Sequence, residues 1–375
     1  MKKFNKDGVN KTFYENGQQY QECTCKNDRY HGLFTEWHEN GQKMSEVPFK
    51  NGKKDGLVTE WHANGQKYQE VSFMNGNQNG LFTEWYENGQ KHSEATFMND
   101  KQNGLVTKWH ENGQKCQEMT FMNGKQNGLF SEWQDNGSKM SEVPFKNGKK
   151  DGLVTEWHAN GQKYQEVPFM NGNQNGLFTE WHANGQKHSE VTFMNDKADG
   201  LYTEWQDNGL KYQEGIMKND KRDGVWTFWH KNGQKKSEGS FKNCNEDGLW
   251  TYWHTNGRKL GEVPFMNGKQ NGLVTYWYKN GQKYSEGHFI NGKCQGLIKR
   301  WYLKGQLLGE YSYRKDYLDG LVTRWHENGQ KESETIYKNG KLDGLLTEWD
   351  ETGKVLSANI YKNGKKVSTQ IQQAA

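Results

Sequence analysis

Gly32-Leu33-Phe34-Thr35-Glu36-Trp37-His38-Glu39-Asn40-Gly41-Gln42-Lys43 recurs, with small changes, every 24 residues, and that recurrence decides the fold. Its leading glycine falls at 8, 32, 56, 80, 104, 128, 152, 176, 200, 224, 248, 272, 296, 320 and 344, with no insertion or deletion between units. Fifteen units therefore cover residues 8–367. A fixed period of this size marks a repeat array, in which each unit buries its apolar side on its neighbours. The organisation read from the sequence is an N-terminal lead at 1–7, the array at 8–367 and a C-terminal tail at 368–375, which lacks periodicity and is expected to fray. Residues 44–71 and 140–167 are identical, so 32–127 and 128–223 read as a four-unit block copied whole. An active site that needs one fixed geometry would tolerate such copying poorly.

Counted from the leading glycine as position zero, positions 1 to 6 alternate with period two and are rich in strand formers. Thirteen of the fifteen units then carry Asn-Gly at positions 8 and 9. A second strand follows, Lys43 to Phe49 in the quoted unit, and then a second Asn-Gly-like turn at positions 19 and 20. A three-residue loop, Glu39-Asn40-Gly41, built as a type I turn plus G1 bulge with a left-handed glycine, pairs Trp37 with Lys43. On that pairing position 1 meets 15, and Leu33, Thr35, Trp37, Val47 and Phe49 share one face. Positions 4, 6, 10 and 14 lie opposite. A two-residue turn would pair Trp37 with Met44 and divide the apolar set between faces, so the bulged loop is preferred.

The expected core ladder is Trp37, Trp61, Trp85, Trp109, Trp133, Trp157, Trp181 and Trp205, with Lys43 lying over Trp37 and its equivalents likewise, a cation–π contact of about 0.5–1 kcal/mol. Pro48, Pro144, Pro168 and Pro264 all occupy position 16, which should be a bulge or a strand end because proline cannot donate to a central ladder. The recurring glycines read as turn residues. The fold class expected is all-β: an elongated, twisted solenoid or meander of fifteen β-hairpins, with no helix of consequence.

Composition narrows the function. Only 31% of residues are apolar while 14% are aromatic, so burial falls to Trp, Tyr and Phe. Fifty basic and 46 acidic residues are interleaved, which leaves no basic stripe for a phosphate backbone; nucleic acid is not an expected partner. The N-terminus has no apolar h-region and no run reaches the ~18 apolar residues of a membrane helix, so a cytoplasmic protein is expected. Cys23, Cys25, Cys116, Cys244 and Cys294 fall at scattered positions without a C-x-x-C pair, and neither a disulfide ladder nor a zinc site is indicated.

The pattern G-L-x-T-E-W-x-x-N-G-Q-K-x-x-E-x-x-F-x-N-G resembles the variant class of the MORN repeat, named for membrane occupation and recognition nexus. The resemblance covers all fifteen units and implies a single-layer array of β-hairpins. Bacterial proteins built mainly from this variant resemble antitoxin or immunity components of toxin–antitoxin modules, so the resemblance implies a protein partner, a toxin among them. The Y-x-G-x-x-x-x-G framework tied to phospholipids is not the pattern here, and membrane contact is not expected.

Chemistry-bearing residues recur too regularly to mark an active site. Histidine occupies position 6 in eight units and glutamate occupies position 14 in every unit but the last, where Ala358 replaces it. Both read as a solvated polar face, since equivalents in successive units lie two strands, or roughly 10 Å, apart and cannot share one metal ion. No catalytic, cofactor-binding or metal site is expected, and the chain reads as a non-enzymatic protein-interaction array. A carbohydrate or cell-surface ligand-binding array and a peripheral membrane scaffold are the alternatives. The Met residues at Met74, Met98, Met122, Met170, Met194 and Met266 read as padding of the turn edge. The pattern changes in residues 224–319, where Trp226, Phe228, Trp250, Tyr252, Tyr276, Tyr278, Arg300 and Tyr302 are expected to point away from the core as an exposed partner-binding patch. The opposing expectation for the same residues is that these rings pack on one another.

Overall fold

The computed structural model describes residues 5–371, which form antiparallel β-strands, thirty-seven among the described residues, and no helix. The chain divides into two compact units, Met1–Gly185 and Gln186–Ala375. Within each, strands pair with their chain neighbours as a meander. The sequence leaves 368–375 as a frayed tail, but Ser368 to Ile371 belong to the strand Lys365–Ile371, paired on Val355–Lys362. The backbone groups of an unpaired strand edge accept any extended segment, periodic or not. The rest of that tail, 372–375, and residues 1–4 of the lead lie outside the described residues.

The first turn has the loop the sequence requires. Gly41 N–H donates to His38 O at 2.8 Å, His38 N–H donates to Gln42 O at 2.8 Å, and Gly41 sits at φ 82°, so Trp37 meets Lys43 across the hairpin. One step further along, the expectation fails. The register shifts between Glu36 and Trp37, so that Met44 at position 12 is a second extra residue and Glu36 meets Ser45, Phe34 meets Val47 and Gly32 meets Phe49. A one-residue shift turns the rest of the second strand over. The core face therefore carries positions 2, 4, 13, 15 and 17, not 1, 3, 5, 15 and 17. In the first unit, buried Val47, Val58 and Val71 pack with Phe34, Phe49, Phe73 and Phe82, and Val143, Val154 and Val167 repeat the arrangement with Phe130, Phe145, Phe169 and Phe178.

The tryptophan ladder from Trp37 to Trp205 consequently lies on the other face, beside Thr at position 3 and Glu at position 14. Lysine at position 11 caps it, but one unit further on than expected: Lys43 Nζ stands 5.7 Å from the ring centroid of Trp61 and Lys67 Nζ 5.5 Å from that of Trp85. The same lysines form ion pairs with the glutamates three residues on, Lys43 with Glu46 and Lys163 with Glu166. Glu46 also meets threonines across both neighbouring strands, Thr35 and Thr59.

The prolines mark a bulge, as their missing N–H demands. Opposite Pro48 the ladder breaks between Lys54 and Gly56, where Asp55 N–H donates to Pro48 O at 2.9 Å. The leading glycine is the bulge residue and not a turn residue: Gly56 has φ 128°, and a Cβ there would lie 2.8 Å from Pro48 Cγ. The second turn is a two-residue type I′ turn, with Asn51 at φ 52° and Gly52 at φ 77°.

Candidate interaction surfaces

Position 6 ties neighbouring repeats together. The Nε2 of His38, His110 and His158 lies 3.2, 3.1 and 3.0 Å from the carbonyl oxygens of Trp61, Trp133 and Trp181. A carbonyl only accepts, so Nε2 carries the proton in each. Where tyrosine replaces histidine the hydroxyl makes the same bond: Tyr86 to Trp109 O at 2.8 Å, Tyr278 to Trp301 O and Tyr302 to Trp325 O at 2.9 Å. His62 departs from this, its Nε2 unpartnered and its ring edge-on to Tyr68 at 5.1 Å. The turn asparagines act likewise, as Asn40 Nδ2 reaches Ala63 O at 2.8 Å while its Oδ1 accepts from Gln42 N–H at 3.0 Å. Residues that read as a solvated face are struts between repeats.

The patch expected in residues 224–319 does not form. Because positions 2 and 4 are on the core face, Trp226 and Trp250 retain only 1% and 3% of their exposure. Tyr202, Trp226, Phe228, Trp250 and Tyr252 form a run of rings with successive centroids 5.8, 6.2, 6.1 and 6.2 Å apart, at interplanar angles of 28–31°. Arg222 lies over Trp226 at 4.4 Å. The indole nitrogens donate to Ile216 O at 3.0 Å and Ser240 O at 3.2 Å. Space for the indoles comes from glycine at position 15, since a Cβ on Gly215 or Gly239 would fall 2.2 Å from the ring of Trp226 or Trp250. Burial pushes the Tyr252 hydroxyl up to about 12 and raises that of Tyr276. Tyr278 and Tyr302 are struts. Of the expected patch, Tyr276 and Arg300 line the cavity described below.

Two surfaces that the sequence reading did not single out remain. On the tryptophan face, Leu at position 1 is about half exposed in repeat after repeat, 48% at Leu33, 49% at Leu81 and 47% at Leu153, instead of lying in the core. Cross-strand partners Pro48, Ser72, Thr96 and Thr120 alternate with these leucines along the first unit. The methionines at position 18 are exposed as well, with Met74 Sδ and Met170 Sδ 3.8 Å from the amides of Asn79 and Asn175. On the core face of the second unit, a cavity of about 350 Å³ opens among Val274, Tyr276, Gly287, Phe289, Cys294, Ile298, Arg300 and Tyr313. The signal for the cavity was legible as glycine at position 15 next to a residue smaller than tryptophan. Burial raises the thiols of Cys294 and Cys116, and pushes that of Cys23 up to about 11, which makes them poorer nucleophiles.

The profile of the MORN repeat variant matches twelve segments: 6–27, 30–51, 54–75, 78–99, 102–123, 126–147, 150–171, 174–195, 222–243, 270–291, 318–339 and 342–363. The chain belongs to the MORN repeat variant family. The stretches left unmatched between 196 and 317 are 196–221, 244–269 and 292–317, whereas Trp226, Gly239, Tyr276 and Gly287 lie in matched segments. No curated protein matches the chain. Among solved structures, that of TcdB2-TccC3-TEV is 12% identical, with 95% of this chain and 21% of the other covered at a TM-score of 0.17. That of TcdB2-TccC3 without its hypervariable C-terminal region is 10% identical, with 97% and 24% covered at a TM-score of 0.16. The MORN array thus spans about a fifth to a quarter of those chains, and at such scores the likeness carries no argument.

Proposed function

We propose that this MORN array is a non-enzymatic scaffold that captures a protein partner, and that its finer role is the antitoxin or immunity component of a bacterial toxin–antitoxin pair. The observation that carries the reading is the leucine row. Seven leucines, one per repeat from Leu33 to Leu177, stand exposed on one face of the first unit, alternating with small or apolar neighbours. Exposed apolar surface that recurs in line on a polar chain is characteristic of a protein-binding face. The recurrent side chains at position 6 and the turn asparagines are by contrast engaged in holding repeat to repeat. The carbohydrate alternative loses support because the indoles are capped by lysine ammoniums and do not stand open as sugar platforms. In this reading the array works in the cytoplasm without cofactor, nucleic acid or membrane.

The test replaces Leu81, Leu105 and Leu129 together by serine. Because each leucine is half exposed, the variant is expected to keep its circular dichroism and melting temperature while losing affinity capture of the partner that the native array retains. Undiminished capture by the folded variant would refute the reading. Neutralisation of a co-expressed toxin by the native array, lost in the same variant, is the outcome expected of the antitoxin role.

A further inference from the structure

In the second unit the glycines at position 15 of the core face are filled from across the strand by side chains of different size. At Gly215 and Gly239 the space is taken by Trp226 and Trp250, but beside Gly287 the cross-strand partner is Ile298. Position 22, which carries a long side chain such as Lys54 or Gln78 in other repeats, is there Cys294. Isoleucine where an indole stands in other repeats, beside Gly287 and Cys294, leaves the cavity of about 350 Å³, within the range of small-ligand pockets. Tyr276, Phe289, Tyr313, Val274 and Ile298 supply its apolar walls, and Ser285, Glu286, Arg300 and Asp316 its polar ones.

The charges around the cavity are unequal. Glu286 is paired with Lys283 at 2.6 Å, and Asp316 Oδ1 accepts the Cys294 N–H at 2.7 Å. Arg300 is exposed, rests its guanidinium 5.3 Å from the Tyr311 ring centroid, and has Ser285 and Gly309 as its cross-strand neighbours. No carboxylate of the described residues pairs with it, whereas Arg324, its equivalent one repeat on, has Glu332 at 3.4 Å. A planar guanidinium held on a tyrosine at the rim of an apolar cavity is matched by a carboxylate carried on an apolar group.

We propose that this cavity is a binding site for an apolar group bearing a free carboxylate, such as an N-acylated hydrophobic amino acid or the last residue of a polypeptide that ends in one. The apolar group fills the space between Gly287, Cys294 and Tyr313, and the carboxylate pairs with Arg300. The site is in the second unit and shares no residue with the leucine row, so it stands or falls independently of the scaffold reading.

Calorimetric titration of the full chain with N-acetyl-phenylalanine, its uncharged amide and a peptide ending in phenylalanine tests it. The acid is expected to bind at least about tenfold more tightly than the amide, as a charge-assisted hydrogen bond would give. In Arg300→Gln that preference is expected to vanish. In Gly287→Val binding of both is expected to vanish, because the new Cβ would fall 1.8 Å from Ile298 Cδ1 and turn that flexible end into the cavity. Valine is the commonest residue at this position, in six of the fifteen repeats, so the fold should accept it, and Cys294→Gln, which restores another common residue, fills the cavity from the second side. A peptide binding more tightly than the free acid assigns the site to a protein terminus, and the reverse assigns it to a small acid; either upholds the carboxylate. Equal binding of acid and amide, no binding at all, or a preference that survives Arg300→Gln overturns the proposal.

Discussion

The hairpins around Val47, Val58 and Val71 and those around Trp226 and Trp250 use the same register and pack by opposite rules. In the first, medium residues meet: valines at positions 2 and 15 under phenylalanines at 2 and 17. In the second, the largest side chain available sits between two with none, Trp226 pairing with Gly215 on one side and Gly239 on the other. The total volume across a strand pair is what the backbone fixes, and it can be divided evenly or unevenly. Where the uneven division is not completed, at Gly287 and Ile298, a cavity is left. A repeat array can thus acquire a local site without changing its period.

The comparison breaks most readily at the indole. Trp226→Ala removes a fully covered ring whose cross-strand partners are both glycine, and is expected to cost about 3–5 kcal/mol in denaturant unfolding. Trp157→Ala, on the lysine-capped face, should cost clearly less because its ring is only partly covered. Equal losses would mean that both faces are core. Gly215→Val should cost about 1–3 kcal/mol by overpacking against Trp226. Adding Trp226→Val to it restores the even division found at Val47 and Val58, so the double variant is expected to be more stable than either single one. A double variant whose losses merely add would show that the two positions do not share one volume.

How much of this was legible follows from the same positions. Period, strand content, the bulged first loop and the Trp37–Lys43 pair were readable because Asn-Gly chemistry and alternation are local properties. The face assignment was not, because the extra residue at position 12 has no fixed identity: it is Met44, Tyr68, His92 and Cys116 in successive units. One unmarked residue inverts a strand, and with Leu, Thr and Trp at positions 1, 3 and 5 the wrong face looks the more apolar. The pairing of glycine at 215 and 239 with tryptophan at 226 and 250 was the clue to the correct one, since a large residue needs a small one across the strand. The inter-repeat bonds of histidine and asparagine join residues 23 apart, and no local pattern announces them.

The smallest expected effect separates the two faces most finely. Lys163 forms an ion pair with Glu166 and stands 5.6 Å from the Trp181 ring centroid, with about half of its side chain exposed. Methionine in its place keeps an apolar stem over the indole and removes the charge. An exposed ion pair is worth about 0.2–1 kcal/mol and an exposed cation–π contact about 0.5–1 kcal/mol, and the two share one ammonium, so their contributions do not simply add. Lys163→Met is therefore expected to cost no more than about 1 kcal/mol, and the cost should shrink as salt is raised, because screening weakens the exposed pair in the native protein alone. A loss of Trp226 size that ignores salt would place the lysine–tryptophan ladder in the core. A small, salt-sensitive loss leaves the phenylalanine, valine and tryptophan rows of the other face as what holds the repeats together.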